Sequence, residues 1–299
     1  MPEIHDHTLD NGLRVVLRPD AALPEVSVAV YYDVGSRNEV VGCTGFAHLF
    51  EHMMFEGSEN VGKTEHFKLI QEWGGQANAT TSQDRTNYYE TLPSHQVALG
   101  LWLEADRMRS LAVNHENFEN QRQTVMEERR QRVDNSPYGQ AVIRLGEMSY
   151  SCFAYAHPVI GSWEDLEAAS LDQVQRFHGT WYNPDNAVLA VAGDLDEAEV
   201  MDLVDTFYGD ISRGGDRPTP DLTEARRTEA QSETVHDSLA RLPAVFCNHQ
   251  APDYTDPEFF VYEMIETILL RGTSSRLYRR LVIEEQVAVE ISGGYEAHR

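Results

Sequence analysis

Hydrophobic positions near the start of the chain alternate with polar ones and then change to a helical beat. Leu13 to Arg18 and Val26 to Tyr32 are rich in β-branched residues and are separated by Pro19 and Pro24, which predicts a pair of strands. From Thr44 to about Phe55 the apolar residues Phe46, Leu49, Phe50 and Met53 recur at helical spacing, and Gly57 follows as a stop signal. A second helix is expected from Glu65 to Trp73, broken by Gly74-Gly75, and a strand from Asn87 to Leu92, ended by Pro93. Helical patterns then run over Ser94–Met108 and Glu116–Val133. Ser162-Trp163-Glu164-Asp165 and Ser170-Leu171-Asp172-Gln173 both have capping-box spacing and open two more helices; Ala187 to Ala192 reads as a strand stopped by Gly193.

Neither period fits the run Arg213 to Pro220, whose glycines and prolines predict a linker between domains. Beyond it, Ala244–His249 and Val287–Ser292 are expected as strands, and Glu258–Leu270 and Ser275–Glu285 as helices. The predicted class is therefore α+β, with a first domain over residues 1–212, a linker over 213–222 and the start of a second domain over 223–299. A length of 299 residues also favours two hydrophobic cores over one.

Apolar residues make up 41% of the chain and charged ones 24%, ordinary values that argue against disorder. The balance of charge is less ordinary: 49 acidic against 24 basic residues give a formal charge of −25, which would repel nucleic acid and anionic membrane surfaces. Cys43, Cys152 and Cys247 are odd in number and far apart, so neither a disulfide framework nor a thiolate metal site is indicated. The polar, acidic start and the short apolar runs predict no signal peptide and no membrane span, hence a cytoplasmic protein.

The predicted helix after Thr44 carries His48-Leu49-Phe50-Glu51-His52. Two imidazoles four residues apart stand one turn apart on one helical face, where both can reach one metal ion. This H-x-x-E-H order inverts the H-E-x-x-H signature of zinc peptidases, and zinc suits N/O ligation of this kind. A catalytic zinc site needs a third protein ligand and an open position for water, so two histidines alone do not complete it. Glu51, on the same arc, is the candidate general base. Among the remaining histidines only His5 and His7 have a ligand-like spacing, and at a terminus that pair is expected to be solvated; His66, His95, His115 and His157 have none, and no role is assigned to any of them.

Three separated segments, Gly45 to Ser58 around this motif, Gly74 to Ser82, and Trp181 to Asn186, resemble the pitrilysin family of zinc metallopeptidases, which includes mitochondrial processing peptidase and insulin-degrading enzyme. The resemblance covers nearly the whole chain and implies similar α/β sandwich-type domains, each an antiparallel-rich sheet with helices packed on it, and hydrolysis of extended or unfolded peptides. It implies that a glutamate about 76 residues beyond the second histidine is the third zinc ligand, which falls on Glu128, with Glu127 as its competitor. It also implies that Asn78 and Ala79 belong to an edge strand that pairs with substrate, although composition alone would make that segment a turn. Relatives carry an acid seven positions before the ligand; here Gln121 stands there, in reach of the metal's surroundings.

Relatives that complete their active site from a second domain have an Arg followed seven residues later by a Tyr. The corresponding positions are Val282 and Val289, neither of which can donate a hydrogen bond to a developing oxyanion. The resemblance thus implies a homologous, zinc-less partner subunit that carries the Arg/Tyr pair. The second domain is expected to be incomplete. Two other functions share the fold: a scaffolding homologue, which would lack part of the zinc set, and a zinc hydrolase of non-peptide substrates, which would keep it.

Overall fold

A computed structural model describes residues 3–298 and forms two compact units. The first comprises the chain up to Ala225 together with Gln231–Phe246. In order it contains β1 (His5–Thr8), β2 (Arg14–Pro19), β3 (Glu25–Tyr32), α1 (Phe46–Met53), α2 (Glu65–Glu72), β4 (Gln76–Thr81), β5 (Thr86–Pro93), α3 (Val97–Ser110) and α4 (His115–Arg129). A π-helical turn, Arg130–Asp134, continues α4, and then come α5 (Gly139–Ser149), α6 (Phe153–Ala156), α7 (Trp163–Ala168), α8 (Leu171–Trp181), β6 (Ala187–Gly193) and α9 (Glu197–Tyr208). Both expected N-caps form: Ser162 accepts from the Asp165 N–H, and Ser170 and Gln173 make a reciprocal capping box.

The strands make one six-stranded sheet in the order β1-β2-β6-β3-β5-β4. Only β2 and β6 run parallel. The strand pair expected at the start does not exist, because β6 lies between β2 and β3 and bonds to both. Alternation specifies a buried face and leaves the neighbour open; the strand most apolar on both faces, Ala187–Gly193, takes a central place. At the opposite end β4 has, among the described residues, a partner strand on one side only, β5, with Asn78 opposite Tyr89 and Ala79 opposite Tyr88.

One face of the sheet is apolar at alternate positions: Val28 and Val30 of β3, Leu189 and Val191 of β6, and Tyr88 and Leu92 of β5 are all buried. Against this core α1 sets Phe46, Leu49, Phe50 and Met53, the residues its periodicity picked out. Phe50 stacks on Phe177 of α8, and the Tyr88 hydroxyl donates to the Phe50 carbonyl at 3.1 Å. Burial of four large side chains on one short helix, at about 1.5–3 kcal/mol each, ties α1 to the sheet and fixes which of its faces points away.

The segment predicted as a linker has neither helix nor strand. Its first residues bind the first unit: Asp185 accepts from Gly214 N at 3.0 Å and pairs with Arg213 and Arg217. The second unit, Arg226–Ala230 with Cys247 onward, contains α10 (Phe259–Leu270) and a π-helical turn over Tyr278–Glu284. The strands expected over Ala244–His249 and Val287–Ser292 do not form, and among the described residues the one sheet lies in the first unit. A strand is stabilised by the neighbour it bonds to, and neither apolar run has one there. No helix among the described residues is long and apolar enough to cross a membrane.

Candidate metal centre

Helix α1 begins at a place where two backbones touch. Its N-cap, Gly45, has φ 89°, and Gly161, in the segment between α6 and α7, has φ 80°. A Cβ built on Gly161 would stand 2.6 Å from Gly45 Cα, so neither position admits a larger residue without the two chains separating. With no side chain of its own, Gly45 leaves the first N–H groups of α1 to other residues. Glu39 supplies the acceptors: its carboxylate oxygens take the N–H groups of Gly45 and Ala47, each at 2.8 Å. A carboxylate at a helix N-terminus is favoured by the helix dipole by about 0.3–1 kcal/mol, up to ~2 when partly buried.

From this start His48 and His52 follow on one face, with ring centroids 4.9 Å apart. Helix α4 packs on α1 and brings Glu128 to them: its Oε2 lies 3.3 Å from His52 Nε2 and 3.6 Å from His48 Nε2. One donor atom from each of the three residues falls within 4.8 Å of the others. Ligands at 2.0–2.2 Å from a tetrahedral ion stand about 3.3–3.5 Å apart, so the observed spacings suit an ion of that size. Glu128 Oε2 is buried and makes no well-aligned hydrogen bond, as expected of an atom facing a cation. The residues present therefore fit zinc.

The electrostatics agree with the geometry. Burial, helped by neighbouring His52, pushes the His48 imidazole down to about 4, so that it is neutral at pH 7 and keeps a lone pair for a metal. The contact with His52, although poorly aligned, and the charges of the other nearby groups hold the Glu128 carboxyl below its usual value against the opposing effect of burial. Its second oxygen, Oε1, pairs with Arg132 at 2.7 Å.

The other expected residues sort themselves out by position. Glu127 turns to solvent, where Arg130 and Gln131 engage it, so of the two acids it is Glu128 that joins the histidines. Glu51 sits half-buried between them in sequence, on α1. Gln121, on the same helix as Glu128, donates from Nε2 to Glu56 Oε1 at 2.7 Å. Seven helical residues separate it from Glu128 by about 10 Å along α4, too far for direct contact. Asn78 and Ala79 lie in the middle of the edge strand β4 and not in a turn, and the Ala79 N–H donates to Asn78 Oδ1 at 2.9 Å. Sequence reasoning missed Glu39, His157 and Asp165, which surround the start of α1. Only the absence of a capping side chain at Gly45 could have prompted a search for a distant cap.

A short H-x-x-E-H helix packed on an antiparallel-rich sheet, with a glutamate brought to it by a second helix, is the arrangement expected of an inverted-motif zinc peptidase. A profile of the insulinase family, Peptidase family M16, matches residues 14–161, and a profile described as the Peptidase M16 inactive domain matches residues 168–299. The zinc protease PqqE of Helicobacter pylori is 32% identical over 291 residues, 96% of this chain and 66% of that protein. The mitochondrial-processing peptidase subunit beta of Blastocladiella emersonii is 27% identical over 245 residues, 80% of this chain and 52% of that one. The crystal structure of a protease from Helicobacter pylori superposes with a TM-score of 0.90 at 31% identity, covering 97% of this chain and 70% of that one. The chain belongs to peptidase family M16. It spans at most about two thirds of the length of these curated relatives.

Proposed function

We propose that this chain is the zinc-carrying subunit of an endopeptidase that hydrolyses extended or unfolded peptides, with His48, His52 and Glu128 as metal ligands and Glu51 as general base. The observation that carries the reading is Glu128 Oε2 set against both imidazole Nε2 atoms at tetrahedral spacing. When bound, zinc supplies Lewis acidity, making water a nucleophile at neutral pH and polarising the scissile carbonyl. Glu51 is left free by the three ligands; it takes the proton of the attacking water and passes it to the leaving amine. Edge strand β4 offers main-chain groups to an extended peptide, a mode of binding that tolerates varied sequences. Its side-chain amide at Asn78 holds the Ala79 N–H until substrate competes for it.

Donors for the oxyanion are the missing part. Val282 and Val289 stand where the family's Arg/Tyr pair would, and valine has no N–H or O–H to offer from its side chain. A homologous zinc-less subunit carrying that pair completes the site in this reading, and the relative named a subunit beta is consistent with it. The test is zinc content and kcat/KM on one unstructured peptide, for the chain alone, for Glu51→Gln, and for the chain mixed with zinc-less homologues. Zinc-loaded but nearly inactive chain, rescued by a partner and not rescued in Glu51→Gln, is the expected result. Full activity of the lone chain removes the partner; absence of zinc removes the whole reading.

A further inference from the structure

A two-turn helix has little order of its own, since half of its N–H groups lack partners within it. Yet α1 must hold two imidazoles to within a few tenths of an ångström. Its start is gripped by two carboxylates. Glu39 reaches it from the segment that precedes the helix, taking the N–H groups of Gly45 and Ala47 at 2.8 Å each. Asp165, at the start of α7, takes both the N–H and the hydroxyl of Thr44, at 3.0 and 2.6 Å. The Thr44 hydroxyl in turn accepts from Ser162 N at 3.0 Å, and His157 Nε2 lies 3.0 Å from Glu39 Oε2.

The same segment also holds the other ligand helix. Arg129, the residue after Glu128 on α4, is buried and donates from Nη1 to the Gly161 carbonyl at 3.0 Å. Gly161 is the residue whose Cα side presses on Gly45. A single stretch, His157 to Asp165, thus touches the first turn of the helix that bears the histidines and the last turn of the helix that bears the glutamate.

We propose that Glu39 and Asp165 are positioning residues for the metal centre, acting through the backbone at the start of α1 to set His48 and His52 against Glu128. The inference rests on the zinc-binding reading above and extends it to residues that touch neither metal nor substrate. Carboxylates suit the task because each oxygen accepts from N–H without a competing donor, and their charge opposes the positive end of the helix. An amide in either place would keep one acceptor and present an NH2 group to backbone donors.

The experiment compares the 299-residue wild type, Glu39→Gln and Asp165→Asn, with Val191→Ala in β6 as a control for lost stability alone. Zinc affinity is measured by chelator competition, the visible spectrum of the Co2+-loaded protein reports ligand geometry, and a thermal midpoint reports stability. Glu39→Gln is expected to weaken zinc binding about 10–100-fold and to shift the cobalt bands, with a smaller change of the same kind for Asp165→Asn. Val191→Ala should lower the midpoint and leave spectrum and affinity as in the wild type. Zinc affinity within twofold of wild type and an unchanged cobalt spectrum in both carboxylate variants would overturn the brace while leaving the zinc reading intact. A wild type that binds no zinc overturns both. Should Glu39→Gln fail to fold, Asp165→Asn decides alone.

Discussion

Two clusters in the first unit gather histidine and glutamate donors within the same reach, two imidazoles and a carboxylate in one and one imidazole and two carboxylates in the other, and only the first has the surroundings of a metal site. His48, His52 and Glu128 bring three donor atoms within 4.8 Å of one another, and so do His66, Glu90 and Glu104. The second group is sealed in the core and already contains its cation: Arg107, fully buried, donates Nε to Glu104 Oε2 at 3.0 Å and a second N–H to Oε1. Its guanidinium also lies 4.4 Å over the Tyr88 ring. Burial, reinforced by Glu104, raises the Glu90 carboxyl well above its usual value, which favours its neutral form beside the Arg107–Glu104 pair. At the first cluster the neighbouring cation is Arg132, which is 73% exposed and holds only the outer oxygen of Glu128. Both bring His and Glu donors within the same reach; the number of imidazoles, the charge balance and the access are what differ.

The largest difference between the two clusters is expected in catalysis. Glu51→Gln should retain zinc and lose about 10²–10⁴-fold in kcat of the assembled enzyme, since the amide keeps the shape and cannot accept a proton. A loss of only a few-fold would remove Glu51 as the base. Next in size is the core cluster. Arg107→Met leaves two buried acids without their cation and should cost about 3–5 kcal/mol in chemical denaturation, whereas Arg132→Met, at an exposed pair, should cost no more than about 1. Comparable losses at the two sites would mean that the clusters are not as different as their burial suggests.

Metal stoichiometry sharpens the contrast further. One equivalent of zinc per chain is expected, falling steeply in Glu128→Gln and unaffected by Glu127→Gln or Glu90→Gln. Two equivalents, or loss of one on changing Glu90, would make the core group a metal site after all.

The smallest expected effect is a pH dependence at the start of α1. Burial pulls the His157 imidazole down, but the hydrogen bond and charge of Glu39 outweigh it and raise its pKa above the ordinary value. Burial raises the Glu39 carboxyl as well, against His157 and two backbone N–H groups. Three donors converging on it at 2.8–3.0 Å favour the ionised acid, so the imidazole sets the window. A raised His pKa contributes stability that is complete below about 6.5 and disappears as pH rises through the folded value. The difference in thermal midpoint between wild type and His157→Gln should therefore be largest near pH 6 and smaller by pH 9; a gap that widens with pH would reverse the assignment.

Much of the site is legible in the sequence. His48 and His52 are four residues apart on a helix whose apolar positions face the core, and local periodicity suffices to place both on its other side. Glu128 could be named only through family resemblance, because its distance from the histidines is set by how α4 packs on α1. Nothing local linked Glu39, His157 or Asp165 to the start of α1; Asp165 was marked only as part of the cap of its own helix. The strands told a similar story: β2, β3, β5 and β6 were readable as strands from their residues, while β4 by composition was a turn.

Local sequence determined what each segment could be, because side-chain period, caps and glycines act over a few residues and within one element. Which elements meet was decided only in three dimensions. Insertion of β6 between β2 and β3, the approach of Gly161 to Gly45, and the choice of one His/Glu cluster over another as the metal centre all depend on residues more than a hundred positions apart in the chain or on the burial that packing imposes. A carboxylate's affinity for a cation is set by the charges and the water around it, and those are properties of the folded chain.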